Sequence, residues 1–201
     1  MSQARLGVFG GTFDPPHLGH LILAAEAQAQ LGLEKVLFVL TADPPHKRGK
    51  AIAPLEDRLA ILAAAITGQA IFELSRVEID RPGPHYALDT VRLLAQEHKD
   101  KEIVYLIGGD SLRDLTNWHR PQEFIAACDA LGAMRRPGSR IDLADLERAL
   151  PGLSAKLEFV DAPLLEISSS EIRQRVRGGG HYRFYLPGAV CLIIRKKRLY
   201  R

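Results

Sequence analysis

The chain is poor in cysteine. Cys128 and Cys191 lie far apart and form no CxxC unit, which excludes a disulfide framework. It also lacks a long apolar run. The longest lies around ILAAAI at 61–66, well short of the roughly 20 residues that span a bilayer, so no membrane partner is expected. MSQARLGVFGG lacks a basic stretch followed by an apolar segment and a cleavage site, so no signal peptide is expected and a reduced, cytoplasmic protein is the simplest reading. There is no internal repeat and no low-complexity segment. Neither GxGxxG nor the GxxxxGK[ST] phosphate loop occurs. What remains is ordinary globular composition, 46% hydrophobic and 25% charged over 201 residues, suited to one domain over 1–201 with a C-terminal helical part at about 165–201.

The formal net charge is +3, but the last seven residues, RKKRLYR, hold five basic groups and no acid. Without them the body has a small acidic excess. Nucleic-acid binders carry their basic face on the body, so no nucleic-acid partner is expected, and the basic run reads as a solvated tail.

The order of elements predicts an α/β fold. Buried strands are expected at 5–10, 35–41, 102–109, 129–135 and 156–162, with strand-like stretches at 71–74 and 76–80. Helices are expected at 18–32, with Gly32 as cap, and at 55–66, 86–98, 142–150 and 168–179. From Leu186 onward a helix and a strand are equally open. Near-continuous apolar strands alternating with helices imply a Rossmann-like, doubly wound, mainly parallel sheet covered on both faces. Ligands bind such sheets beyond the carboxyl ends of the strands, where every unusual motif of this chain falls.

The first such motif is GGTFDPPHLGH, residues 10–20. Gly10 and Gly11 allow close backbone approach and positive φ. The next helix starts near His17 or Leu18, and its free N–H groups favour an anion. His17 and His20, three apart, face one side of its first turn. Two imidazoles there suit phosphate oxygens and charge developing on phosphorus. A structural turn with an incidental histidine pair is the alternative. Zinc is disfavoured, because no Cys/His partner pair lies nearby.

GTFDPPHLGH (11–20) resembles the T/HxGH signature of the nucleotidyltransferase α/β-phosphodiesterase superfamily, and ISSSEIR (167–173) resembles its ISSTxIR signature. Read alone, Ser168, Ser169 and Ser170 supply hydroxyls and a helix cap, with Arg173 one turn in, a second anion cradle. The middle of the chain resembles the bacterial nicotinate mononucleotide adenylyltransferase family through PPHK (44–47), GPHYALDT (83–90), IGGDSLRDLTNWH (107–119) and RPG (136–138). Three positions depart from that family's usual pattern: His85-Tyr86-Ala87 stands for Ser/Thr-Tyr-Thr, Ser170 for Thr, and GGD for GAD.

The resemblance implies that ATP and nicotinate mononucleotide are the partners and that adenylyl transfer releases pyrophosphate. His17 and His20 are then the catalytic pair. Gly10, Gly11, Thr12, Phe13, Lys47, Gly108, Asp110, Arg136, Ser168, Ser169, Ser170 and Arg173 are expected on ATP and its phosphates. His46, Lys47, Tyr86, Ala87, Trp118 and His119 are expected on the pyridine nucleotide. Mg²⁺ is expected to arrive with ATP rather than in a dedicated protein site. Asp110 either accepts from ribose hydroxyls or caps a short helix, Trp118 either stacks on the pyridine ring or packs in the core, and Lys47 either reaches phosphate or is an exposed loop lysine. Peptide N–H groups near Trp118 and His119, at the start of a new helix, are expected to receive the nicotinate carboxylate. A homo-oligomer is left open. The rivals are transfer to pantetheine phosphate or nicotinamide mononucleotide, and a non-catalytic nucleotide sensor or RNA-binding domain.

Overall fold

The computed structural model describes residues 3–44, 52–135, 142–163 and 165–201. Six strands, β1 (Ala4–Gly11), β2 (Leu33–Leu40), β3 (Phe72–Ser75), β4 (Lys101–Gly108), β5 (Ala130–Arg135) and β6 (Leu157–Asp161), form one sheet in the order β3-β2-β1-β4-β5-β6. Every pairing is parallel. The order reverses direction between β1 and β4, the doubly wound arrangement expected from the sequence.

The strands read as unbroken apolar runs because both faces are covered. Val36, Phe38 and Leu40 of β2 and Val104 and Leu106 of β4 point to one core. Leu37 and Val39, with Ile103, Tyr105 and Ile107, point to the other, as the period-two pleat requires. The first core is closed by α1 (Leu18–Gln30), α2 (Leu55–Ile66), α8 (Ser169–Arg177) and α9 (Gly188–Lys197). The second is closed by α3 (Ala87–Glu97), α4 (Gly109–Arg113), α5 (Pro121–Ala127), α6 (Leu143–Ala149) and α7 (Leu153–Lys156). Cys128 and Cys191 are buried in different cores and are free thiols. Gly32, at φ +63°, ends α1 and turns the chain straight into β2. No helix among the described residues is long and apolar enough to cross a membrane.

Two expectations are corrected. Residues 76–80 form a helical turn, not a strand: Ile79 and Asp80 donate their N–H groups to Arg76 O at 2.8 and 3.0 Å. The alternation of RVEID is real, but Val77 packs on one core and Ile79 on the other at the sheet edge. The buried Glu78 is drawn towards α3, where its Oε1 accepts from Thr90 Oγ1 at 2.5 Å. The basic run at 195–201 is not a loose tail. Its first three residues finish α9, the alternative taken by the segment after Leu186, and Lys197 pairs with Asp57 of α2.

Arg58 is the decisive residue of α2. It lies on the helix's apolar stripe with Ile61, Leu62 and Ala65, and only 1% of it is exposed. Its Nε donates to Ala53 O at 3.1 Å, Nη1 to Thr12 O and Thr41 O at 3.2 and 2.8 Å, and Nη2 to Ala42 O at 2.8 Å. One guanidinium thus ties the chain leaving β1, the chain leaving β2 and the approach to α2. Burial pulls its pKa down, and the neighbouring Asp14 carboxylate opposes that shift. Arg58→Met preserves most of the volume but strands these carbonyls and Asp14. It should lower stability by about 3 kcal/mol or more in urea unfolding; a loss under about 1 kcal/mol would show that the carbonyls find other donors.

Candidate active site

The site forms beyond the carboxyl ends of β1 and β4, where the strand order reverses. Gly10 and Gly11 do not make the expected left-handed turn; both stay in β1. Gly10 is required instead by close approach, since a Cβ there would meet Tyr105 Oη at 2.6 Å. The positive φ falls on Phe13, at 45°. Its ring is buried against Phe9, Phe38 and His20, at centroid distances of 5.6, 5.6 and 5.1 Å. Thr12 is buried beside it and lends its carbonyl to Arg58.

His17 caps α1 in an extended conformation, φ −137°. Its N–H donates to His20 Nδ1 at 3.1 Å, and the His20 N–H donates to His17 O at 2.9 Å. The two imidazoles stack at 3.7 Å and 30°. Because His20 Nδ1 accepts, the ring is neutral with its proton on Nε2, which makes Nε2 a donor. Burial lowers the His17 pKa to about 4, so it too is neutral at pH 7.

The second motif closes on the first. Ser168 caps α8, its Oγ accepting from Glu171 N–H at 3.2 Å. Ser169 Oγ donates to Pro15 O at 2.8 Å, and Arg173 Nη1 donates to Asp14 O at 2.7 Å. Arg173 Nη2 also donates to Ser170 Oγ at 3.2 Å. Between the motifs lies a cavity of about 400 Å³, within the range of nucleotide-sized pockets. Gly10, His17 and His20 line it from one side, and Ser168, Ser169, Ser170 and Arg173 from the other, with Gly108 at the end of β4 and Asp110 just beyond it. Asp110 sits in the first turn of α4 and pairs with Arg113, while Gly108 holds the cap position.

Of the residues expected on the pyridine nucleotide, Tyr86, Ala87, Trp118 and His119 are among those described, and none of them lines this cavity. Tyr86 caps α3, Ala87 is its first residue, and the Tyr86 ring stacks on His119 at 3.9 Å and 18°. Trp118 is half-buried, edge-on to Tyr105 at 6.1 Å and tilted on Phe124 at 5.2 Å. Tyr105 therefore stands between Gly10 and Trp118. The helix expected at Trp118 and His119 begins later, at Pro121, and the Trp118 N–H is donated to Leu115 O at 3.1 Å. Pro121 fixes the helical φ but has no N–H. His46, Lys47 and Arg136 lie outside the described residues.

Sequence reasoning missed three residues of the shell around the cavity. Arg58 carried a signal, a charge on an apolar helical stripe. Asp14 and Tyr200 carried none, because their contact spans 186 positions.

The sequence model of the cytidylyltransferase-like family matches residues 8–175. The chain belongs to that family. It is 43% identical to a probable nicotinate-nucleotide adenylyltransferase of Thermomicrobium roseum, covering 99% of this chain and 92% of the relative. It is 41% identical to one of a Roseiflexus species, covering 100% of both. A solved structure of Plasmodium falciparum nicotinic acid mononucleotide adenylyltransferase complexed with NaAD superposes with a TM-score of 0.82 at 18% identity, over 98% of this chain and 97% of that one. That likeness shows a shared fold.

The His17 shift has a sign that can be checked. The unfolded chain takes up a proton near pH 6.5, whereas the folded one resists until about 4. The contribution is therefore intact above about pH 6.5 and lost as pH falls towards 4, up to about 3 kcal/mol in all. Urea midpoints of wild type and His17→Asn, each measured near neutrality and at about pH 4.5, should show a flatter pH dependence in the variant. Parallel profiles would remove His17 as the source.

Proposed function

We propose that the chain transfers the adenylyl group of ATP to nicotinate mononucleotide, releasing pyrophosphate and forming nicotinate adenine dinucleotide. The observation that carries this reading is the single cavity lined by both the His17–His20 turn and the Ser168–Arg173 helix start. The names of the full-length relatives point to the same reaction. The acceptor's phosphate oxygen attacks the α-phosphorus of ATP in line. A P–O bond forms there, the bond to the β-phosphate oxygen breaks, and its electron pair leaves with pyrophosphate. The attacking phosphate is already an anion at neutral pH, so no protein base is required. Catalysis is then positioning and charge stabilisation.

In this reading His20 Nε2–H, with the neutral His17 stacked against it, donates to the oxygens around the α-phosphorus. Ser169, Ser170 and Arg173 hold the leaving pyrophosphate, and Gly10 and Gly11 let it approach the β1 backbone. Asp110 and Gly108 take the adenosine, Asp110 accepting from ribose hydroxyls. Lys47 and Arg136 add cations, and His46 joins the acceptor side. Thr12 and Phe13 act from below, shaping the turn. Tyr86, Ala87, Trp118 and His119 hold the pyridine ring and its ribose, Ala87 through its backbone alone. Among the described residues no group of three or more His, Cys, Asp or Glu side chains could hold a metal. We read Mg²⁺ as riding on the triphosphate, since it is usually held by substrate phosphates and water, with no step assigned to it. We read residues 1–201 as one catalytic domain in a reducing, cytoplasmic setting, in accord with two buried free thiols. Burial pushes Cys128 up to about 12, which keeps it an inert thiol rather than a nucleophile.

The direct test is pyrophosphate release from ATP and Mg²⁺ with nicotinate mononucleotide, nicotinamide mononucleotide or pantetheine phosphate as acceptor. Fastest release with the first is expected; release with none would favour a nucleotide sensor. His20→Ala should cut turnover by about 10²–10³ with the fold retained, the cost of losing one charge-stabilising donor. Near-normal turnover would end its assigned role. Trp118→Ala should raise KM for the pyridine nucleotide more than KM for ATP, and the opposite pattern would move the acceptor site elsewhere.

A further inference from the structure

Arg173 faces a choice. It lines the cavity, yet its Nη1 lies 3.8 Å from Asp14 Oδ2, a carboxylate only 1% exposed. A buried carboxylate without adequate donors draws the nearest cation onto itself. The main-chain N–H of Ala53 reaches it only through a long, bifurcated bond, 3.4 Å from each oxygen. The Arg58 guanidinium spends four of its five N–H donors on backbone carbonyls. The one short donor to Asp14 among the described residues is the hydroxyl of Tyr200, 2.8 Å from Oδ1.

The chain reaches that position through left-handed backbone, the first such residue being the cap of α9. After α9 the chain enters the left-handed region twice, at Arg198 (φ 54°) and Tyr200 (φ 65°). Each is a conformation that non-glycine residues adopt at a cost. The segment is pinned on both sides of the first, by Lys197 on Asp57 and by the Leu199 N–H on Ile194 O at 3.0 Å. Burial and the Asp14 charge both raise the Tyr200 pKa, so the phenol keeps the proton it donates.

We propose that Tyr200 is a positioning residue for the phosphate end of the cavity: by satisfying Asp14, it leaves the Arg173 guanidinium turned to the cavity instead of collapsed onto the carboxylate. Arg173 then keeps its bonds to Asp14 O and Ser170 Oγ and presents its remaining donors to phosphate oxygens. Tyr200 touches no substrate and acts through Asp14 and Arg173. The assignment rests on the adenylyl-transfer reading for its kinetic consequence, but not for its effect on ATP binding.

The test is Tyr200→Phe, which removes one oxygen from a half-buried ring. Titration calorimetry with a non-hydrolysable ATP analogue needs no acceptor. It should show affinity weakened about ten-fold, the size expected on losing a hydrogen bond to a charged group. In the full assay KM for ATP should rise by a similar factor, while KM for nicotinate mononucleotide stays within about two-fold. Arg173→Ala supplies the second arm: in that background Tyr200→Phe should weaken analogue binding no further, because residues acting through one another are not additive. Unchanged analogue affinity in Tyr200→Phe would overturn the proposal. So would equal rises in both KM values, or full additivity with Arg173→Ala. If wild type binds the analogue but releases no pyrophosphate with any acceptor, the enzymatic reading fails while the calorimetric cycle still decides the role of Tyr200.

Discussion

A buried guanidinium is a liability unless its donors are used, since removing the charge from water costs several kcal/mol. Arg58 uses four of its five on carbonyls of Ala53, Thr12, Thr41 and Ala42. These carbonyls belong to the chain leaving β1, the chain leaving β2 and the approach to α2. None of those stretches is in a helix or strand, so each needs an outside donor for its buried backbone. The cation therefore replaces secondary structure at the point where the sheet stops and the site begins. Asp14 offsets the charge, and Ser169 and Arg173 bond to the turn beside that pair.

The join between the two motifs follows from the same arrangement. Ser169 and Arg173 bond to the carbonyls of Pro15 and Asp14, over separations of 154 and 159 residues. These contacts use backbone acceptors of the first motif rather than its side chains. They hold α8 against the turn and leave the imidazoles facing the cavity. A proline pair suits such a role, because Pro15 and Pro16 offer carbonyls but no N–H groups needing partners.

Most of the sheet was legible in the sequence because parallel strands buried on both faces have a simple signature, seen in LGVFGG and VLFVL. Helix α2 was legible to its bounds from LEDRLAILAAAI. What failed did so for identifiable reasons. RVEID alternates, but alternation at a sheet edge can place successive apolar residues on two cores through a turn. The histidine-bearing turn stood out by residue type, yet its positive φ lies on Phe13 rather than on a glycine, with that ring packed against Phe9 and His20. RKKRLYR looked like a solvated tail because charge dominates its composition. The residue that matters there is Tyr200, whose partner lies 186 positions away.

The histidine pair shows how burial selects chemistry. Two imidazoles stacked at 3.7 Å would repel each other if both were charged. The fold avoids this by burying His17, which lowers its pKa to about 4, and by holding His20 Nδ1 on the His17 N–H. Both rings are then neutral, and the tautomer of His20 follows from a backbone hydrogen bond rather than from a carboxylate partner. A neutral donor binds a ground-state phosphate less tightly than an imidazolium would. Its bond strengthens as negative charge builds on the oxygens around phosphorus, which is the differential binding that lowers a barrier. The positive charge of Arg173 sits on the other side of the cavity, with the serine hydroxyls, where a departing pyrophosphate would carry the larger share of negative charge. In the proposed transfer, the arrangement puts neutral donors where charge is transient and a fixed cation where charge accumulates.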